Sequence, residues 1–294
     1  MQGHGGSPIP LRKPRLSQHF LSDQHAAEKI VSALGDVSHQ TVLEIGAGHG
    51  AITDLLAARA QKVTAIEFDR MLATQLRVKY SAKRHVEVIE ADVLSVDFDT
   101  LVQGSLMGLS GTQSGPGRTA RVVGNLPYHI TSDILLKLFE FHKNFDVLVL
   151  MVQREVGDRL SAKPGSRDYG LLTATANLFA EVENLFTLPP GAFSPPPKVH
   201  SSVLRLRIAP KAAWLGVAAD EFVSFLKVCF AHKRKTLVNN LKANYGDAAV
   251  REALLKARVR PDVRAEAVSL EKMADVFRRL KGDLENNKGR LSRE

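Results

Sequence analysis

The chain has 294 residues, 44% of them hydrophobic, enough for one large and one smaller domain with filled cores. It holds no apolar run near the ~18 residues that span a bilayer and no secretory signal in Met1–Pro10, and its single cysteine, Cys229, excludes a disulfide framework; a cytoplasmic protein is expected. The net charge is +9, and from Arg207 onward 19 Lys/Arg face 11 Asp/Glu, so a surplus of eight sits at the C-terminal end, a pattern that suits a polyanion such as nucleic acid.

Taken in order, the chain begins with a loose arm carrying Arg12, Lys13 and Arg15. Leu16 to Leu21 precede a helix capped by Ser22 or Asp23 and running to about Leu34, with Ala26, Ala27, Ile30, Val31 and Leu34 on one apolar stripe. Thr41–Ile45 reads as a buried strand that enters Gly46-Ala47-Gly48-His49-Gly50 and then a helix from Ala51 to Ala60. Such a unit lets backbone N–H groups and a helix N-terminus approach a ligand closely. A second strand, Lys62–Ile66, ends on Glu67, 21 positions after Gly46, where an acid that accepts ribose hydroxyls belongs. A helix over Asp69–Tyr80, a strand over Val86–Ile89 and then Ala91-Asp92 complete an alternation that predicts a parallel, doubly wound sheet.

The Gly- and Ser-rich residues 103–119 read as a surface insertion without an element of its own. A fourth strand, Arg121–Gly124, leads into Asn125-Leu126-Pro127-Tyr128 and a helix from Thr131 to His142. Phe145–Val152 is a further apolar strand, and Gln153–Ala162 and Leu171–Ala180 read as helices. Glu181–Leu188 and Ser202–Ile208 form a closing antiparallel pair around Phe193–Val199, which its prolines predict to be polyproline-like. Beyond Pro210 only helices are expected: one with Phe222, Phe225, Leu226, Cys229 and Phe230 on a face, one opened by His232-Lys233-Arg234-Lys235-Thr236-Leu237, then Ala248–Ala257 and Leu270–Leu280, with residues 283–294 frayed. The boundary near 209 divides the chain into 1–209 and 210–294.

An amide, a proline-stiffened backbone and an aromatic ring at a strand end can hold a flat, amine-bearing base by its edge and its face. The glycine loop with Glu67 favours a nucleoside-type ligand, although Gly46, Gly48 and Ala51 also satisfy a looser dinucleotide pattern. Glu44 is an acid on a buried strand and needs a partner, which a cationic donor with an amino acid tail could supply. Asp92 suits an adenine amino group or a cap. The ten histidines show no metal-ligand spacing, and no metal is assigned.

Val42-Leu43-Glu44-Ile45-Gly46-Ala47-Gly48 with Glu67, Asp92 and Asn125-Leu126-Pro127-Tyr128 resembles the class I S-adenosyl-L-methionine-dependent methyltransferases. Gln18-His19-Phe20-Leu21, Phe193-Ser194-Pro195-Pro196-Pro197-Lys198-Val199-His200-Ser201 and Phe230-Ala231-His232-Lys233-Arg234-Lys235-Thr236-Leu237 narrow the likeness. They resemble the KsgA/RsmA family of small-subunit (16S) rRNA adenine N6,N6-dimethyltransferases, from about residue 12 to 282. The chain departs from that pattern at His19, where the family usually has Asn.

The resemblance implies a Rossmann-like, seven-stranded mixed sheet followed by a small all-helical, rRNA-binding domain. It implies S-adenosyl-L-methionine held by His19, Leu21, Glu44, Gly46, Gly48, Glu67, Asp92 and Asn125. Asn125, Leu126, Pro127 and Tyr128 would act on the target adenosine, with Phe193 on its other face. Arg12, Lys13, Arg15, Lys233, Arg234 and Lys235 would meet the backbone of small-subunit rRNA in a pre-30S particle, the protein acting as a monomer. Three other readings share features with this one: a nicotinamide oxidoreductase, which would lack an acid/base set here, a non-catalytic rRNA-binding assembly factor, and the large-subunit rRNA adenine methyltransferases of macrolide resistance.

Overall fold

The protein is described by a computed structural model over residues 18–107 and 119–291. The arm with Arg12, Lys13 and Arg15, and residues 108–118 of the insertion, lie outside the described residues.

The order of elements begins β1 (Phe20–Leu21), α1 (Gln24–Ala33), β2 (Thr41–Ile45), α2 (Ala51–Arg59), β3 (Lys62–Glu67), α3 (Arg70–Lys79) and β4 (Val86–Glu90). It continues with α4 (Phe98–Met107), β5 (Ala120–Asn125), α5 (Thr131–Glu140), β6 (Phe145–Gln153), α6 (Arg154–Leu160) and α7 (Leu171–Phe179). Then come β7 (Ala180–Leu188), β8 (Phe193–Ser194), β9 (Ser201–Ile208) and five helices: α8 (Ala212–Leu215), α9 (Ala219–Cys229), α10 (Leu237–Tyr245), α11 (Asp247–Lys256) and α12 (Leu270–Leu291).

Seven strands form one mixed sheet in the order β4-β3-β2-β5-β6-β9-β7, as expected. The first five are mutually parallel, and β9 runs antiparallel to both β6 and β7. Every residue of β2 is buried, because it lies mid-sheet with helices over both faces. The strand order reverses between β2 and β5, and a crevice opens at their carboxyl ends, where open parallel sheets bind ligands. At Gly124 a Cβ would lie 2.6 Å from the Ile45 carbonyl oxygen, so β5 can lie this close to β2 only without a side chain there.

Local chemistry accounts for the helix starts. Asp23 caps α1 by accepting from the Ala26 N–H at 3.0 Å, and Asp69 caps α3 through Met71 N–H at 2.8 Å. One apolar cluster runs from Leu43, Phe98 and Leu138 beside the sheet, through Phe179 and Leu206, into Phe222, Phe225, Met273 and Phe277 of the C-terminal helices. A second, on the other side, joins Ile30, Leu56, Val123 and Met151 to Phe193.

Four local expectations are corrected. Residues 103–107 belong to helix α4, whose Phe98 and Val102 are buried in the core; apolar anchors at its start outweigh the glycines that follow. Phe193-Ser194 is a strand, not polyproline, because it pairs antiparallel with Phe20-Leu21. The run Lys233–Lys235 sits in a turn before α10, since the Thr236 side chain, accepting from Asn239 N–H, marks the helix start. Helix α12 continues to Leu291 instead of fraying at 283.

Candidate active site

At the end of β2 the chain turns through Gly46 and Gly48, with φ of +74° and +57°, and enters α2. A side chain at Gly48 would be strained by that φ and would also put its Cβ 2.8 Å from Phe20 Cδ1. The loop is pinned from β3: the Gly46 N–H donates to the Ile66 carbonyl, and the Gly48 N–H donates to Glu67 Oε2, both at 2.8 Å. Asp69 N–H donates to Glu67 Oε1 at 2.9 Å. Two backbone donors therefore orient the buried Glu67 carboxylate, and each oxygen keeps acceptor capacity for a further partner.

Glu44, one strand over, is 2% exposed. Its Oε2 accepts the Thr53 hydroxyl at 2.6 Å, which is the partner its burial required. Burial pushes its carboxyl up to about 8, the Thr53 hydroxyl opposes this, and the neighbouring Glu67 and Asp54 carboxylates add to the rise. Asp92 follows β4 and caps a short helical turn through Leu94 N–H at 2.9 Å, leaving Oδ2 as a further acceptor.

The other half of the site is built on the end of β5. Leu126 N–H extends the ladder to the Met151 carbonyl at 3.0 Å, so the Asn125–Tyr128 turn starts from a fixed strand end. Pro127 holds Leu126 in an extended conformation, and the Pro127 carbonyl accepts the Thr131 hydroxyl as α5 begins. The Asn125 side chain donates through Nδ2 to the His19 carbonyl at 2.7 Å, which leaves Oδ1, an acceptor, as the free end of the amide. The half-buried Tyr128 shares a hydrogen bond of 2.7 Å with the Ser201 hydroxyl, and its ring stacks near His19 at 5.8 Å.

Both halves face one cavity of about 760 Å³. His19, Leu21, Glu44, Gly46, Gly48, Glu67, Asp92, Asn125, Leu126, Pro127 and Tyr128 all line it. Phe193 does not. Its side chain is 3% exposed in the core beneath β1, and Ser194 and Pro195 reach the cavity in its place. Stacking of Phe193 on a base would require it to leave that core. Lys233, Arg234 and Lys235 are exposed on the helical region, away from the cavity wall. Lys233 Nζ donates to the Arg167 carbonyl at 3.0 Å, which joins the 163–168 loop to the basic turn.

Sequence reasoning passed over Phe68, Thr53 and Ser201. Phe68 is 60% exposed although it is a large apolar side chain, and it lines the cavity directly after Glu67. An apolar residue at a strand end, just past the ribose-type acid, was the available signal. Nothing in the spacing marked Thr53, and Ser201 entered only as the last residue of the Phe193–Ser201 motif, without a role; their partners Glu44 and Tyr128 come from other elements.

Among the described residues, the cavity wall presents three carboxylates, Glu44, Glu67 and Asp92, and no Lys or Arg. That set suits a cationic ligand with a diol and amino groups. The sequence matches the ribosomal RNA adenine dimethylase family over residues 11–282. The chain belongs to this family. It is 53% identical to ribosomal RNA small subunit methyltransferase A of Koribacter versatilis, over 92% of this chain and 95% of that one. Its identity to the protein of the same name from Acidobacterium capsulatum is 51%, over 91% of both. Among solved structures it is similar to a dimethyladenosine transferase from Plasmodium falciparum, with a TM-score of 0.69 and 25% identity over 92% of this chain and 98% of that one. The 23S rRNA methyltransferase ErmE gives 0.62 and 28%, over 89% and 99%.

As a ribosomal RNA adenine dimethylase, the protein is an S-adenosyl-L-methionine-dependent methyltransferase of rRNA. The carboxylates, the glycine loop and Phe68 fit that donor. Among the described residues no group of three or more His, Cys, Asp or Glu is placed to hold a metal ion, and no helix is long and apolar enough to cross a membrane.

Proposed function

We propose that this dimethylase transfers methyl groups from S-adenosyl-L-methionine to N6 of two adjacent adenosines in a hairpin loop near the 3′ end of small-subunit (16S) rRNA. It acts in the cytoplasm, as a monomer, on a pre-30S particle, and yields N6,N6-dimethyladenosines with a role in subunit biogenesis. One observation carries the reading: the Asn125–Tyr128 turn and the Glu44, Glu67 and Asp92 carboxylates share a single cavity at the ends of β2, β3, β4 and β5. High identity to two small subunit methyltransferases supports it over the large-subunit alternative, although ErmE has the same fold.

The bound donor supplies an electrophilic methyl group on a sulfonium. Glu67 holds its ribose hydroxyls, Asp92 its adenine amino group, and Glu44 its cationic amino acid end. The target adenosine leaves its stack to enter the cavity, and Tyr128 receives its face. N6 is a poor nucleophile because its lone pair is delocalised into the ring. Asn125 Oδ1 and the Leu126 carbonyl accept its N–H groups and favour tetrahedral geometry at nitrogen. The rest of the acceleration is positioning. The exposed Lys233, Arg234 and Lys235, with Arg12, Lys13 and Arg15, engage rRNA phosphates without reading sequence. In this reading residues 1–209 carry transfer and residues 210–294 carry docking.

Primer extension across both rRNAs, after incubation with donor and unmethylated subunits, tests the assignment. Stops at paired adenosines of the small subunit support it, and stops only in the large-subunit rRNA overturn it. In Asn125→Ala transfer should fall about 10²-fold or more, far beyond any loss of donor affinity measured by calorimetry. Near-normal transfer would defeat the mechanism.

A further inference from the structure

A carboxylate can select an amino-bearing base only if it is held at a fixed depth and direction. We propose that Lys137, outside the cavity, is a positioning residue that sets the Asp92 turn and with it the preference for a donor carrying adenine. This rests on the reading of Asp92 as the partner of the donor's adenine amino group and deepens it.

Asp92 follows β4, and its Oδ1 accepts the Leu94 N–H at 2.9 Å in the short helical turn Val93–Ser95. The Ser95 N–H closes the same turn by donating to the Asp92 carbonyl at 2.8 Å. The Leu94 carbonyl is taken from behind: Lys137 Nζ, on α5, donates to it at 2.5 Å. Leu94 is therefore held at its N–H by the acid that meets the donor and at its carbonyl by a cation. Asp92 and Leu94 line the cavity, and Lys137 does not.

The ammonium is itself fixed in place. It lies 5.9 Å from the centre of the Phe98 ring and 5.7 Å from that of Phe141, within the range at which a cation is drawn to a ring face. Phe98 is fully buried, so this seat does not move with the surface. The nearby Asp97 carboxylate is occupied by the Asp99 N–H and the Thr100 hydroxyl. Among the described residues the Leu94 carbonyl is the one hydrogen-bond partner of Lys137.

Helix α5 also starts directly after Asn125–Tyr128, where the Thr131 hydroxyl donates to the Pro127 carbonyl at 2.9 Å. Lys137 stands nearly two turns further along, about 9 Å down the axis. One helix thus runs from the turn that receives the target base to the turn that receives the donor's base. The other acids of the donor half are held differently, Glu67 by the Gly48 and Asp69 N–H groups and Glu44 by the Thr53 hydroxyl. Asp92 is the acid of that half whose turn is held from the acceptor half.

The test is calorimetry on the full chain with two stable analogues of the spent donor. One is S-adenosyl-L-homocysteine, and the other has purine in place of adenine and so lacks only the amino group. A hydrogen bond to a charged group is worth about tenfold or more in affinity, and the wild type should prefer the adenine compound by that ratio. Lys137→Met and Lys137→Gln, which lose the ammonium, should bring the ratio to within about threefold by weakening the adenine compound alone. Their affinity for the purine compound should stay within about twofold of the wild type, which also reports an intact fold. Lys137→Arg, which keeps a cationic donor, should recover most of the ratio. Asp92→Ala should abolish it, and adding Lys137→Met to that variant should change nothing further.

Equal weakening of both compounds would make Lys137 a general structural support and overturn the proposal. An unchanged ratio in the neutral variants, no recovery with arginine, or a further loss in the double variant would do the same. The wild-type ratio separates this inference from the reading beneath it. A ratio near one takes Asp92 off the adenine amino group and the proposal falls with it; a tenfold ratio that survives in both neutral variants removes Lys137 alone.

Discussion

Replacing Glu44 by Gln tests the electrostatics of the donor half directly. Glu44 is buried in a parallel strand with the Thr53 hydroxyl as its partner, and its carboxyl is pushed from the ordinary 4.5 up to about 8, chiefly by burial. A folded-state value above the unfolded one means that the native protein holds one proton more between those two limits. Its stabilising effect is complete below about pH 4.5 and is lost as pH rises toward and through about 8. With about 1.36 kcal/mol per unit, the full window amounts to roughly 5 kcal/mol, and the part between pH 6 and pH 8 to roughly 2 kcal/mol. Glutamine keeps the shape and cannot ionise. Denaturant unfolding of both proteins at a series of pH values gives a difference in which other groups cancel. The variant should gain on the wild type by roughly 2 kcal/mol between pH 6 and pH 8. A difference flat in pH would refute the reasoning, and with it the burial of an acid without a counter-charge at this position. The same proton makes donor binding pH-dependent: a cationic ligand favours the carboxylate, so wild-type affinity should rise with pH through this window while that of the variant stays level.

Gly48→Ala forces a left-handed φ on a side chain whose Cβ would lie 2.8 Å from Phe20, so donor affinity should fall about tenfold, for a strain of about 1–2 kcal/mol. Unchanged calorimetric binding would remove the loop from the donor site. Phe193→Ala should cost about 3–5 kcal/mol of stability, whereas Phe193→Leu should keep most of it and transfer at nearly the wild-type rate. A large rate loss in folded Phe193→Leu would show that the ring does reach the base. Reversing Lys233, Arg234 and Lys235 to Glu should weaken subunit binding and flatten its salt dependence by about two to three units of logarithmic slope. An unchanged slope would take the basic turn off the rRNA.

Much of the fold was legible because its signals are local. Thr41–Ile45 is apolar enough to be read as a buried strand, the glycines after it mark a turn that other residues resist, and the helix starts near Asp23 and Asp69 were legible to within a residue. The errors arose where distant contacts overrule composition. Phe98 and Val102 anchor α4 in the core despite the glycines after it, and Phe193-Ser194 is drawn into a strand by Phe20-Leu21, more than 170 positions away.

The sequence by itself carried the reaction class, through the resemblance of Val42–Gly48, Glu67, Asp92 and Asn125–Tyr128 to a methyltransferase family. It also determined which acids stand at the ends of β2, β3 and β4, because strand length sets where each side chain falls. Only the tertiary structure decided what those groups do with their remaining hydrogen-bonding capacity. It turned the Asn125 amide by giving Nδ2 to His19, and it gave Glu44 its Thr53 partner. It also withdrew Phe193 from the cavity. Each of these depends on a partner from another element, and hydrogen-bond direction and burial are properties of such pairs.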